Sequence, residues 1–258
     1  MDGFLLINKE SGWTSRDVCN KVQSLLHTKK VGHIGTLDPF ATGLLVVTVG
    51  KATKAGQFLD DFEKKYVAVL ELGKKTSTGD LTGEVMEEKP VPKLDKMMVS
   101  SILGELTGEI DQIPPMTSAL HYNGQKLYKL AHQGIEVERK ARKIRVYNIN
   151  VDWVKSNQIC FSCSVSKGTY IRSIARDIAN DLNSAGHLVG LYRTKVGNFE
   201  IEALKKEGIF VEMGGHSKEF IEDSYLAVTS PSVPQNSEIM QILKDNKIQV
   251  VSEVELAY

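Results

Sequence analysis

The run Val31-Gly-His-Ile-Gly-Thr-Leu-Asp-Pro-Phe-Ala-Thr-Gly-Leu-Leu-Val-Val-Thr-Val-Gly-Lys-Ala-Thr-Lys54 decides how this chain is read. Gly32, Gly35 and Gly43 surround a single acidic residue, Asp38, and Pro39 biases that acid away from helical geometry. Glycines on both sides permit a positive φ or a close approach to another body. The apolar run from Leu44 to Val49 reads as a buried strand. One carboxylate is therefore expected on a constrained loop anchored to the core, five residues after His33. Loops held by a rigid scaffold are where chemistry tends to be placed.

On the N-terminal side, Phe4 to Asn8 reads as a strand. Thr14 or Ser15 can cap a helix running to about His27, with Val18, Val22, Leu25 and Leu26 on one face. On the C-terminal side, Ala52 to Phe62 reads as a helix. Lys64 to Leu72 reads as a strand with Tyr66, Ala68, Leu70 and Leu72 on one side. Thr76 to Gly83 is a polar loop, and Leu94 to Leu106 a helix with Met97, Met98, Ile102 and Leu106 as its expected core stripe. Pro114-Pro115 breaks the chain. Asn123-Gly124 signals a hairpin turn after a short strand, and Leu127 to His132 a short helix ended by Gly134. Ile144 and Val146 alternate in one phase and Ile149, Val151 and Trp153 in another, which predicts a bulge near Tyr147. Ile159 to Val165 reads as a half-buried strand, Tyr170 to Leu182 as a helix, and Leu188 to Val196 as a strand. Helices and strands mix without a steady βαβ rhythm, so the expected class is α+β with a mixed, mostly antiparallel central sheet and flanking helices.

Charged residues make up 25% of the 258 and hydrophobic residues 41%, ordinary values for a globular protein. No apolar run approaches a membrane span, and the N-terminus does not resemble a signal peptide. Three cysteines suggest no disulfide framework, so a cytoplasmic setting and no membrane partner are expected. The net charge of zero argues against a nucleic-acid partner, but its distribution argues for one. Glu200 to Tyr258 carries 11 acidic and 5 basic residues, leaving the rest of the chain at +6. Lys126 to Arg145 alone holds 7 basic and 2 acidic residues. Those lysines and arginines are either a solvated face or a surface for phosphates.

The segment from Gly32 to Leu45 resembles the signature of the TruB family of tRNA pseudouridine synthases, roughly G-H-x-G-x-L-D-P-x-A-T-G-x-L, with every fixed position present. The resemblance extends in blocks from about Phe4 to Phe199. It implies a pseudouridine synthase fold with an RNA-binding cleft and an isomerase that flips out the T-loop uridine of tRNA, position 55. On its own residues, Asp38 is either a turn aspartate or a functional one. The resemblance makes it the catalytic nucleophile, and a nearby arginine would then favour its charged form.

That arginine is expected in Lys167-Gly-Thr-Tyr-Ile-Arg172, which is similar to the family's K-G-T-Y-I-R block. Arg172 lies off the apolar stripe of its helix. By the same resemblance Tyr66 stacks on the uracil and serves as, or places, a base, where spacing alone makes it a buried strand tyrosine. His33 touches the extruded nucleotide, and Leu191 and Arg193 line the uracil pocket. The implied catalytic set is Asp38, Tyr66 and Arg172. The implied RNA-binding set is His33, Lys167, Tyr170, Leu191, Arg193, Lys126 and Arg142. The last two sit in a stretch similar to the family's RNA-clasping loop, where basic and aromatic residues interleave.

Other motifs fail. Cys160-Phe-Ser-Cys163 places its sulfurs on opposite strand faces, so no zinc site forms, and Gly50-Lys51 lacks the spacing of a phosphate-binding loop. Neither a metal nor an organic cofactor is expected, and base isomerisation needs neither. The expected domains are a catalytic one over residues 1–229 and a short tail over 230–258, with the family's C-terminal PUA domain reduced or absent. The expected partner is the tRNA T-arm, bound by a monomer. The competing reading is a tRNA-binding or folding factor that uses the same cleft without turnover. A third reading, an aspartate-nucleophile hydrolase, would need a metal or a histidine base in a known context, and the sequence shows neither.

Overall fold

The computed structural model describes residues 2–54, 62–201, 226–229, 241, 244–245 and 249–252. By packing, the chain divides into two units, Met1–Ile201 and Glu202–Tyr258.

The first unit is built on one sheet. Its strands are β1 (Gly3–Lys9), β2 (Val31–Ile34), β3 (Thr42–Val49), β4 (Lys64–Leu72), β7 (Gly108–Gln112), β10 (Arg142–Lys155), β11 (Gln158–Val165), β12 (Gly186–Val196) and β13 (Phe199–Glu200). Among the described residues the order is β1-β3-β12-β4-β11-β10-β7, with β2 paired to β3 and β13 to β12. Every pairing in it is antiparallel except β3 with β12, which run parallel through Thr42–Tyr192 and Gly43–Arg193. The class is α+β, as the pattern predicts. Two small hairpins lie off the sheet: β5 (Lys74–Thr76) with β6 (Val85–Glu88), and β8 (His121–Tyr122) with β9 (Gln125–Lys126). The second hairpin turns through Asn123 and Gly124 at φ 47° and 82°, the geometry the Asn-Gly pair predicts. In the second unit β14 (Leu226–Thr229) and β15 (Gln249–Ser252) pair in parallel.

Helices α1 (Ser15–Leu25), α2 (Lys96–Glu105) and α4 (Ile171–Asp181) bury their stripes in one core with the inward residues of the sheet; α3 (Leu127–His132) follows the β8–β9 hairpin. Thr14 caps α1 with a reciprocal bond to Asp17. The bulge in β10 appears as a register shift between Val146 and Asn148. Cys163 joins the core while Cys160 stands outside it, on opposite faces as alternation requires.

One reading needs correction. The buried residues of α2 are Val99 and Leu103, with Ile102 and Leu106 packed beside them, while Met97 is 80% exposed. Counting back from Leu106 at helical spacing selects Leu103, Ile102 and Val99, and leaves both methionines in the first turn facing out. Of the helix expected over Ala52 to Phe62, the first residues belong to a 3-10 turn over Gly50–Lys54, and residues 55–61 lie outside the described residues. Strands β2, β5, β6, β7 and β13 are short segments that alternation alone does not reveal.

Candidate active site

The motif loop is pinned on both sides of Asp38. Ser15, the first residue of α1, takes both backbone groups of Leu37: the Leu37 N–H donates to Ser15 Oγ at 2.9 Å, and Ser15 Oγ donates to Leu37 O at 3.1 Å. The Pro39 carbonyl accepts from the Gly12 N–H at 2.8 Å and from Lys9 Nζ at 3.2 Å. Lys9 also donates to Glu10 O and Trp13 O, both at 2.7 Å. Its side chain is covered, and burial draws the ammonium down to about 8 although Asp38 pulls the other way. An Ala41 N–H to Asp38 O bond at 3.1 Å closes the turn. The carboxylate is thus fixed by its neighbours before any ligand arrives.

Gly35 and Gly43 are required by this packing. Gly43 has φ 100°, and a Cβ there would come within 2.7 Å of the Arg193 backbone nitrogen at the parallel contact of β3 with β12. Gly35 has φ 66°, and a Cβ there would meet Lys64 Cε at 2.8 Å.

Arg172 enters from the second position of α4. The start of that helix is held by Gln112, whose amide accepts from the Tyr170 N–H at 2.8 Å and donates to Tyr170 O at 3.1 Å. The Arg172 side chain is 3% exposed and that of Asp38 30% exposed. Nη2 donates to Asp38 Oδ1 at 2.9 Å, and Nε lies 2.9 Å from Oδ2 with its N–H turned off the line to that oxygen. Nη2 also donates to Thr117 O at 2.9 Å, and Nη1 to Thr78 O at 2.8 Å and to Thr117 Oγ1. A second buried acid, Asp80, has Oδ2 3.9 Å from Nη1 and takes Thr78 Oγ1 at 2.7 Å and the Thr82 N–H at 2.9 Å on its other oxygen. The expected Asp38–Arg172 pair is therefore present. Its electrostatics differ from the simple expectation: burial pushes the Asp38 carboxyl above its usual range, Arg172 opposes this, and Asp80 adds to it.

Tyr66 on β4 stands opposite Arg193 on β12 and Cys163 on β11. Arg193 is fully buried, with Nε donating to Leu44 O at 2.8 Å and Nη2 to Gly35 O at 2.9 Å. Burial raises the Tyr66 phenol, and the Arg193 guanidinium pulls it back. These groups surround a cavity of about 260 Å³ whose wall includes Asp38, Tyr66, Arg172, Leu191, Arg193 and Tyr170, together with Lys64 and Thr117–Ala119. That is just below the roughly 300–1,000 Å³ typical of small-molecule pockets and suits a group of nucleoside size.

Not every candidate lines this cavity. His33 sits on β2 with Nδ1 3.5 Å from Cys19 Sγ and Nε2 3.1 Å from Thr36 Oγ1, beside the cavity and not in its wall. Lys167 and Arg142 are exposed. Arg142 borders a separate cavity of about 470 Å³ with Tyr122, Leu127 and Arg139. Lys126 lies on β9, 5.9 Å from the Tyr128 ring centroid. Four residues escaped the sequence reading: Lys9, Lys64, Asp80 and Thr117. Lys64 carried a signal, since alternation puts it on the same face as Tyr66, and Thr117 lies in the run Ile113-Pro-Pro-Met-Thr-Ser-Ala-Leu120, which also resembles a family block.

A family model described as TruB family pseudouridylate synthase, N-terminal domain, matches residues 23–171. The tRNA pseudouridine synthase B of Clostridium kluyveri is 41% identical over 98% of this chain and 92% of its own length. That of Geotalea uraniireducens is 45% identical over 78% of this chain and 65% of its own length. Among solved structures, a chain of a Cbf5-Nop10-Gar1 complex is 29% identical with a TM-score of 0.59, covering 81% of this chain and 57% of that one. A chain of an H/ACA RNP bound to a substrate RNA containing 2'-deoxyuridine is 26% identical with a TM-score of 0.57, covering 81% and 56%.

Proposed function

Since the chain belongs to the TruB family of pseudouridylate synthases, we propose that it isomerises the uridine at position 55 of the tRNA T-loop, with Asp38 as nucleophile. Family membership makes the chain an RNA pseudouridine synthase acting on tRNA; the choice of uridine and the residue roles are the proposal. The observation that carries it is the Asp38–Arg172 pair at 2.9 Å beside Tyr66 in a cavity of nucleoside size.

The reaction breaks the N1–C1′ bond, rotates the base and forms a C5–C1′ bond. The proton lost from C5 is matched by one gained at N1, so no redox partner is needed and the reading includes no cofactor or metal. A T-loop uridine must first leave its stack, at a cost of a few kcal/mol. His33, beside the cavity, is suited to fill the vacated space. Asp38 attacks as a carboxylate and splits one hard step into two. Arg172 holds that carboxylate charged and aimed. Tyr66 stacks on the uracil; because burial keeps it a neutral phenol, it serves by placing a proton acceptor more readily than by being one. Leu191 and Arg193 shape the base pocket. Tyr170, Lys167, Arg142 and Lys126 meet the RNA backbone and bases around the mouth. The working state is a cytoplasmic monomer. The described residues contain no helix long and apolar enough to cross a membrane.

The test is release of tritium from C5-labelled uridine in a T-arm stem-loop RNA. The wild type is expected to release label at the T-loop uridine. Asp38→Asn is expected to lose turnover while keeping RNA affinity within about tenfold, roughly 1.4 kcal/mol. Turnover by the variant at a sizeable fraction of the normal rate refutes the assignment.

A further inference from the structure

Residues 113–141 leave the sheet between β7 and β10 and carry the β8–β9 hairpin and α3. The base of this segment is fastened to α4: Ile113 O accepts from Ser173 Oγ at 2.8 Å and from Arg176 Nη1 at 3.2 Å. Backbone bonds tie the residues after Thr117 to the helix beyond the hairpin: the Tyr128 N–H donates to Ser118 O at 3.0 Å and the Leu127 N–H to Leu120 O at 2.8 Å. Between these two sets of ties lies Thr117, which touches Arg172 directly.

We infer that Thr117 is a positioning residue: it holds the Arg172 guanidinium against Asp38 and so links the seating of the 113–141 segment to the aim of the carboxylate. The inference rests on the reading of Asp38 and Arg172 given above. Arg172 has five N–H donors in a fixed fork. Asp38 receives one aligned bond, from Nη2, which is shared with Thr117 O at 2.9 Å. Nη1 is held by Thr78 O and by Thr117 Oγ1, and the threonine hydroxyl in turn donates to Thr78 O at 3.3 Å. The direction of the fork is therefore set by anchors other than Asp38, and two of the three are on Thr117.

That matters because a competitor is close. Asp80 Oδ2 lies 3.9 Å from Nη1 and its side chain is 6% exposed, against 30% for Asp38. A less exposed carboxylate is less screened by water and attracts the same cation more strongly at equal distance. The Thr117 hydroxyl occupies Nη1 and keeps the guanidinium from rotating onto Asp80. Without it, Asp38 loses part of its counter-charge. The hairpin and α3 carry Lys126, Tyr122 and Tyr128, and Tyr122 borders the separate cavity with Arg139 and Arg142, so RNA bound on this segment would press on Thr117 through the Ser118 and Leu120 backbone bonds.

The experiment compares Thr117→Val, which keeps the shape and the backbone carbonyl but lacks the hydroxyl, with Thr117→Ser, which restores the hydroxyl. Two readouts are used: steady-state kinetics on a T-arm stem-loop over a range of pH, and the pH midpoint of the Arg172 Nε–H NMR signal, which follows Asp38 whether or not turnover occurs. For Thr117→Val we expect kcat to fall about tenfold, the scale of one hydrogen bond to a charged group, with KM within about twofold. The acid limb of kcat and the NMR midpoint should both move to higher pH. Thr117→Ser should recover all of these. An unmoved midpoint in Thr117→Val, or equal losses in the two variants, overturns the inference. If the wild type makes no pseudouridine while the midpoint still moves in Thr117→Val and returns in Thr117→Ser, the positioning role stands and the proposed function fails.

Discussion

Asp38 and Lys9 carry opposite charges into the same covered corner, and each leaves a pH signature. Burial raises the Asp38 carboxyl, and only the ionised form can attack. The acid limb of kcat/KM should therefore fall at a pH above that of an ordinary carboxylate. A pH profile that stays flat down into the usual carboxylate range would show that Asp38 is better solvated or better paired than its surroundings imply. For Lys9 the sign is reversed. Its folded value is about 8 against 10.5 when free, so between these values the unfolded chain binds more protons at this residue than the folded one. Wild-type stability should accordingly rise relative to Lys9→Met as pH increases from about 8 to 10, by up to about 3 kcal/mol in total. Urea denaturation of both proteins across that range checks it. Arg172→Lys keeps the charge but not the fork, and one ammonium cannot serve Asp38, Thr78 and Thr117 together. Loss of kcat by about a hundredfold or more is expected, on the scale of about 3 kcal/mol for a broken buried pair. Which residues were readable at this scale follows from their neighbours in sequence. Asp38 and Arg172 sit in long, distinctive runs. Asp80 sits in an ordinary polar loop, and Thr117 in a run whose resemblance to the family does not single it out; both gain meaning only when folding brings them to the same guanidinium.

Among the elements, those with a full period of apolar residues were legible: β4, β11 and α4 lie where alternation or helical spacing puts them. The phase of α2 was misjudged because methionines in its first turn imitate a core stripe. The structure makes this testable. Leu103, 1% exposed, should cost about 3 kcal/mol when cut to alanine, and Met97, 80% exposed, no more than about 0.5 kcal/mol. Equivalent losses in chemical denaturation would restore the methionine stripe. The very short strands resisted prediction for a different reason. Four residues of β2 or two of β13 hold too few alternations to set a phase, and they are strands only because longer partners hold them. Gly43→Ala strikes the close parallel contact of β3 with β12. Strain at positive φ and the approach to the Arg193 backbone together should cost about 4 kcal/mol, read as a lowered urea midpoint.

For the molecule as a whole, the charge imbalance predicts where RNA binds. With Glu200 to Tyr258 at −6 and the rest at +6, phosphates should favour the body that holds Lys126 to Arg145, and affinity should fall as salt rises. A T-arm stem-loop is then expected to be nearly as good a substrate as whole tRNA. A kcat/KM more than about a hundredfold lower for the stem-loop, roughly 2.7 kcal/mol, would show that contacts beyond the T-arm matter. The mixed pattern of elements made the fold class legible, but not the strand order, because nothing local marks β12 as the strand between β3 and β4. That order has a consequence for a chain emerging from the ribosome. β4 is made early and offers a bare edge, and β3 an open end at Thr42 and Gly43 beyond its pairing with β2, to a gap that only the residues from Gly186 on fill. Arg193, bonded to the carbonyl of Leu44 across 149 positions of sequence, arrives with that late strand. Until then the nascent protein has an open seam at the centre of its sheet, the kind of exposed edge that recruits chaperones or other unfinished chains. Closure of the cavity beside Asp38 and protection against aggregation are thus acquired in the same step of synthesis.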